Sequence, residues 1–203
     1  MTQQVASSGG RKNKQLLWII AIAALTTIVP YIMYYTGIGI PSGTINQGIL
    51  VAAPIELSDF TFRSENMERW DLAEQAPKFR LVIPVLGTCE ELCLDSLYVT
   101  RQVHIRLSDK KDQVERLYVQ LGEADDDAFR QFLAAEHPNL TYLEGDYREW
   151  RAALGDQPEL SAGFDGAEYY LLHRYGALVM AYNEDHHGNQ LLDDLEFLIK
   201  TSN

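Results

Sequence analysis

Positive charge is scarce in this chain: 17 Lys and Arg stand against 29 Asp and Glu in 203 residues, a formal net charge of −12. A protein that grips nucleic acid neutralises phosphates with a basic face, and there is no surplus here to build one. Nucleic acid is therefore excluded as a partner. Internal repeats and low-complexity tracts are absent as well, which excludes solenoids and leaves room for one compact domain. Cysteine is limited to Cys89 and Cys93. Any thiol or metal–thiolate chemistry rests on that single pair.

Charge of either sign is missing from Leu16 to Tyr35, "LLWIIAIAALTTIVPYIMYY". Twenty residues at ~1.5 Å rise span about 30 Å, the thickness of a hydrocarbon core. Trp18, Tyr31, Tyr34 and Tyr35 sit where aromatic belts form, and Pro30 falls near one end. A cleaved signal peptide would carry a shorter apolar region and a small-residue cleavage site, so the run predicts an uncleaved single-pass anchor. Arg11, Lys12 and Lys14 precede it, which keeps the N-terminus cytoplasmic and places the remainder outside, in the periplasm if the source is bacterial. That remainder carries 14 basic and 29 acidic residues, a net −15. Such a surface gives solubility and suits a cationic partner or metal ions.

The layout predicts a cytoplasmic tail over 1–15, the anchor over 16–35, an extended linker over 36–57 and a folded domain over 58–203. "FTFRS" and "RWDLA" can pair as a short hairpin. "KFRLVIPVLG" (78–87) is apolar enough to be a central strand buried on both faces. A helix follows Cys89 to about Ser108. "VERLYVQL" (114–121) predicts a second strand, and "EADDDAFRQFLAAE" (123–136) a helix with acids in its first turn. Then come "LTYLEGD" as strand or turn, "DYREWRAALG" as a short helix, "EYYLLH" and "ALVMAY" as a hairpin, and "NQLLDDLEFLIK" as a closing helix. This order is that of an α/β thioredoxin-like sandwich.

Cys89 then lies at a strand-to-helix turn with Cys93 one turn later. Unpaired N–H groups and the helix dipole stabilise a thiolate there, while Glu90 and Glu91 oppose it. Residues four apart in a regular helix hold their Cβ atoms about 5–6 Å apart, too far for a disulfide. Closing the pair requires Cys89 to lie in the loop. A metal is less demanding, and two soft thiolates favour Cu(I). Redox pair, metal clamp and local staple all remain open on these grounds.

"VLGTCEELCLDSLYVTRQV", with its C-x-x-x-C at a helix start, resembles the Sco/SenC family of membrane-anchored, thioredoxin-like cytochrome oxidase assembly factors. "YYLLHRYGALVMAY" and "LLDDLEFLIK" resemble the family's strand–turn–strand and last helix. The anchor and "LYVTRQVHIRL" resemble, more closely, small Sco-like transmembrane proteins whose genes accompany bacterial cytochrome oxidase genes. The resemblance implies an accessory factor in oxidase biogenesis, more an assembly factor than a turnover enzyme. It would handle copper or exchange thiols through Cys89 and Cys93, with an oxidase subunit or copper chaperone as partner. It also implies a third copper ligand; aligning Gly176 with the family's turn glycine puts Asp165 where the family has histidine. A carboxylate is a poor Cu(I) ligand but usable for Cu(II). The implied set is Cys89, Cys93 and Asp165. The competing reading is a non-catalytic, membrane-anchored docking protein that keeps the fold without the metal site.

The histidines carry less. His173 reads as a packed strand residue and His137, before Pro138, as a helix terminator. His104 lies too far along the cysteine helix to share an ion with it. His186 and His187, beside Glu184 and Asp185, read as a solvated turn rather than a metal loop.

Overall fold

The structure is a computed structural model that describes residues 9–36, 46–57, 60–123, 125–155, 157, 160 and 164–202. It divides into two units, 1–44 and 45–203.

In the first unit a single helix, α1, runs over Gly9–Thr36. The hydroxyls of Thr26 and Thr27 each donate to the Ala23 carbonyl at 3.0 Å, which satisfies both polar side chains within the helix. Among the described residues no helix is long and apolar enough to cross a membrane. The described side chains inside α1 run unbroken only over 17–29. Residues 1–8 of the expected tail and 37–45 of the expected linker lie outside the described residues, and residues 9–15 of that tail belong to α1.

Among the described residues the second unit is built on one mixed sheet of eight strands: β1 (Ile49–Glu56), β2 (Phe62–Ser64), β3 (Arg69–Trp70), β4 (Phe79–Val85), β5 (Val114–Gln120), β6 (Leu140–Glu144), β7 (Tyr169–Leu172) and β8 (Ala177–Tyr182). Their spatial order is β1-β8-β7-β4-β5-β6-β2-β3. The β4–β5–β6 core is parallel and every other pairing antiparallel. The helices are α2 (Glu91–Arg106), α3 (Asp127–Glu136), α4 (Tyr147–Leu154) and α5 (Gly188–Thr201).

Alternation along β4 separates two cores. Phe79, Leu81, Ile83 and Val85 pack with Leu97 and Val103 of α2, Leu133 of α3 and Leu195 of α5. On the other face Val82 joins Trp150 and Leu154 of α4 with Phe60 and Phe62. Every residue of β4 is buried, as its largely apolar sequence predicts; the exception in kind is Arg80, which bonds Glu115 and the Ala76 carbonyl, each at 2.8 Å.

Two boundaries differ from the sequence reading. Residues 49–56, assigned to the linker, form edge strand β1 against β8, with a register shift between Leu50 and Ile55. Its Pro54 and the lack of an alternating pattern hid it, because an edge strand buries only part of one face. The entry to β1 is held by Asp194 of α5, whose carboxylate accepts from the Gln47 and Gly48 amides and the Tyr182 hydroxyl, each at 2.9 Å. The helix expected over 123–136 begins only at Asp127, because Asp126 caps it, accepting from the Phe129 amide at 2.7 Å. Asp and Asn compete for the backbone at such positions and so mark a start rather than an interior.

Candidate functional site

Pro84 sits in a central strand, where proline removes a ladder donor. The antiparallel pairing of β4 with β7 ends at Val82, opposite Tyr170. Pro84 lies beyond that register. The room so left is filled by residues 164–167, which cross the end of β4: Leu86 N–H donates to the Phe164 carbonyl at 2.6 Å, and Val85 bridges Asp165. This crossing places Gly166 against the cysteine helix.

Cys89 and Cys93 form a disulfide with a Cα–Cα distance of 5.3 Å. The geometry works because Cys89 lies outside the helix, one residue before the N-cap Glu90, while Cys93 is the third residue of α2. Cys89 is half-buried; Cys93 is fully buried. A Cβ on Gly166, whose φ is +81°, would lie 2.5 Å from the Cys93 Cβ and 2.9 Å from its sulfur. Only glycine fits there. Reagents therefore reach the pair from the Cys89 side, past the partly exposed Leu86 and Leu92.

Buried polar groups fix the mouth of the site. Gln120, at the end of β5, donates from Nε2 to the Gly87 and Glu123 carbonyls at 2.9 and 2.7 Å, and its Oε1 accepts from the Tyr118 hydroxyl. It ties the cysteine loop to the loop after β5. Below α2, the buried Arg116 donates from Nη2 to the Leu97 carbonyl at 2.8 Å and to the Thr100 hydroxyl at 3.0 Å. Burial, and next the charge of Arg101, lower its pKa to about 10. The guanidinium pins the middle of the cysteine helix to the sheet. Neither residue stands out in the sequence, because Arg and Gln inside an alternating strand are ordinarily solvent-facing.

Asp165 is brought beside the cysteine loop by its bridge to Val85, and its carboxylate accepts from the Ala167 amide at 3.0 Å. That bond turns the carboxylate onto its own loop. Among the described residues no group of three or more His, Cys, Asp or Glu is arranged to hold a metal ion. In this oxidised form both sulfurs are bonded to each other and one Asp165 oxygen accepts an amide, so the three residues are not arranged as copper ligands.

The histidines are structural. His104, on α2, bonds the Val114 carbonyl at 3.1 Å. His137 closes α3 and is buried. His173 meets Phe79 edge-on. His187 caps α5 in a reciprocal box with Gln190, and His186 bonds Asn183.

Comparison with known proteins matches residues 79–202 to the family model described as transmembrane-like, thioredoxin-like, C-terminal domain. No curated protein matches the chain. Among solved structures, the fold is similar to yeast Sco1, at 18% identity and a TM-score of 0.56, covering 80% of this chain and 97% of that one. It is also similar to Bradyrhizobium japonicum ScoI with copper bound, at 20% identity and 0.51, covering 73% and 99%. A third likeness is BsSco, a member of the Sco family of cytochrome c oxidase assembly proteins in which a disulfide switch was identified, at 17% identity and 0.52, covering 75% and 95%. At these identities the structures speak for the fold, and the family model spans more than half the chain. The protein belongs to the transmembrane-like, thioredoxin-like family and has the Sco-like form of that fold.

Proposed function

We propose that the chain is a membrane-anchored, Sco-like accessory factor in cytochrome oxidase biogenesis that works by thiol–disulfide exchange at Cys89 and Cys93. One observation carries this reading: the disulfide sits at the strand–helix turn with one sulfur reachable and the other fully buried. A structural staple has no need of that asymmetry, whereas ordered exchange depends on it.

A partner thiolate attacks the Cys89 sulfur in line with the S–S bond. The bond to Cys93 breaks, and Cys93 leaves as a thiolate that takes a proton from water. A second thiolate of the partner then attacks the partner sulfur bonded to Cys89, and Cys89 leaves as a thiolate that takes a proton from water. The partner leaves oxidised by two electrons and the domain reduced. In the opposite direction the reduced Cys89 attacks a partner disulfide and Cys93 resolves it. Glu90 makes no side-chain cap bond, so its carboxylate does not occupy the free N–H groups in the first turn of α2.

The anchor is part of the same reading. It is supported by the uncharged run from Leu16 to Tyr35 inside a continuous helix with a basic flank. The domain would then stand outside the cytoplasm, where a disulfide persists.

Copper enters as cargo rather than as a resident ion. The likeness to a Sco protein with copper bound favours this second reading: once reduced, the two thiolates are soft donors that suit Cu(I) in transit, with Asp165 or a partner residue completing the shell.

The test uses the full chain in detergent micelles. The pair should equilibrate with a dithiothreitol couple, and Cys93→Ser should trap a mixed disulfide with an oxidase subunit through Cys89. A pair inert to dithiols, together with normal oxidase assembly in the Cys89→Ser/Cys93→Ser variant, would overturn exchange and leave the docking role. Binding of one Cu(I) per reduced chain, lost in Cys89→Ser, would establish the cargo reading.

A further inference from the structure

We infer that a small cavity between α2 and the β8–α5 connection is a subsite for a primary ammonium group, and that the thiol partner of Cys89 carries a lysine that enters it. The second half of this statement rests on the exchange reading; the first does not.

The cavity has a volume of about 20 Å³, room for roughly one water-sized group. Tyr169, at the start of β7, lines it. The residue is only 2% exposed, yet its hydroxyl has no hydrogen-bond partner among the described residues. A buried phenol left unpaired is uncommon and costs stability unless something outside the chain satisfies it. Asp95 of α2 and Glu184 of the connection also line the cavity. Neither is in an ion pair among the described residues. The nearby charge of Asp95 adds to burial in raising the Tyr169 pKa, which places the carboxylate within electrostatic reach of the hydroxyl.

Ser96 donates to the Ala167 carbonyl at 3.3 Å, and His186 Nδ1 bonds Asn183 at 2.6 Å. Beside them the lining presents the Tyr169 phenol and the solvent-exposed carboxylates of Asp95 and Glu184, with Leu92 and Val99 as apolar walls.

That set selects its ligand. An anion is repelled. A guanidinium is too large for the volume, and a metal finds no converging group of three ligands among the described residues. A water satisfies the hydroxyl but leaves the carboxylates and the apolar walls unused. A lysine ammonium is water-sized and brings three donors, while its methylene stem covers apolar surface. Leu92 precedes Cys93 directly, so a side chain seated here holds its backbone along the cysteine helix. The net charge of −15 beyond the apolar run draws such a partner in.

The probes are peptides with lysine and cysteine separated by one to four glycines, and the same peptides with acetyl-lysine. Each attacks the oxidised full-length protein in micelles, forming a bond to Cys89 and releasing Cys93. At low ionic strength the best-spaced lysine peptide is expected to react about tenfold faster than its acetylated twin. Glu184→Gln and Tyr169→Phe should each shrink that ratio, with the rate for 2-mercaptoethanol unchanged. A ratio near one at every spacing, while 2-mercaptoethanol still reduces the pair, would overturn the lysine partner. So would a ratio that survives Asp95→Asn/Glu184→Gln, which would mean general surface charge. Inertness towards 2-mercaptoethanol would instead overturn the exchange reading. The subsite itself is then read by melting: n-butylammonium should raise the melting temperature where n-butanol does not, and the effect should vanish in Glu184→Gln. Equal effects of the two would leave a site for water only.

Discussion

Gly166 lies so close to Cys93 that a single added methyl would meet the cysteine's own Cβ at 2.5 Å. The loop backbone packs directly on the fully buried Cys93, while Cys89 is only half-buried.

Gly166→Ala should therefore cost stability twice, through a φ of +81° and through overlap with Cys93. We expect a loss of about 2–4 kcal/mol in urea unfolding. Gly87→Ala is the control. Its φ is +96°, but nothing lies within 4 Å of the added carbon, so only the backbone term of about 1–2 kcal/mol applies. Equal losses at the two positions would refute the packing argument.

Reduction should separate the two thiols. Cys89 is half-buried and Cys93 fully buried, so iodoacetamide should modify Cys89 at least tenfold faster, as followed by mass spectrometry of reduced protein. The bond closes a separation of only four residues. Cys89→Ser/Cys93→Ser should then lower stability by no more than about 2 kcal/mol and leave the fold intact. Unfolding of that variant would show a staple rather than a working pair.

Stability should fall with mild acid through His137. Burial first, then the charges of Arg116 and Arg101, lower its pKa from the usual 6.5 to about 4. Between those values the unfolded chain binds more protons than the folded one. The stabilising contribution is therefore complete above pH 6.5 and is lost as pH falls towards 4. Burial lowers His104 in the same direction. From pH 7.5 to 5 the wild type should lose about 1–2 kcal/mol more than His137→Gln in urea titrations. Identical losses would show that the imidazole is not held neutral.

Asp194 is 2% exposed and receives two amides and a phenol. Asp194→Ala leaves those donors unpaired, and we expect a cost of about 2–4 kcal/mol. Limited proteolysis should then cut near Gln47 and Gly48 faster than in the wild type. An unchanged digestion pattern would mean that the entry to β1 is held by other contacts.

The parts legible in the sequence were those with strong period or punctuation. The apolar run of β4, the hairpin of β7 and β8 with its turn at Gly176, and the stripe of α5 all follow from hydrophobic spacing. So does the position of Cys89 just outside a helix, which the geometry of a disulfide demands. What escaped were features set by tertiary partners. Arg116 and Gln120 are buried because helix and loop carbonyls receive them, and no local pattern announces a distant carbonyl. Tyr169 read as one more strand aromatic; only its unpaired hydroxyl distinguishes it. β1 is a continuous apolar run interrupted by Pro54 and shows no period of two, and its membership in the sheet depends on β8 and on Asp194.

The two ends of the sheet bear on how any partner can join. β1 carries Pro54 and a register shift between Leu50 and Ile55, and β3 at the opposite margin is two residues long. Proline withholds a donor, a shifted ladder offers no continuous row of amides, and so short a strand gives no template. Both margins are poor templates for an additional strand from another polypeptide. Molecules of this protein crowded side by side would therefore resist zipping into a shared sheet, and recognition is left to side chains on the helices and loops around Cys89.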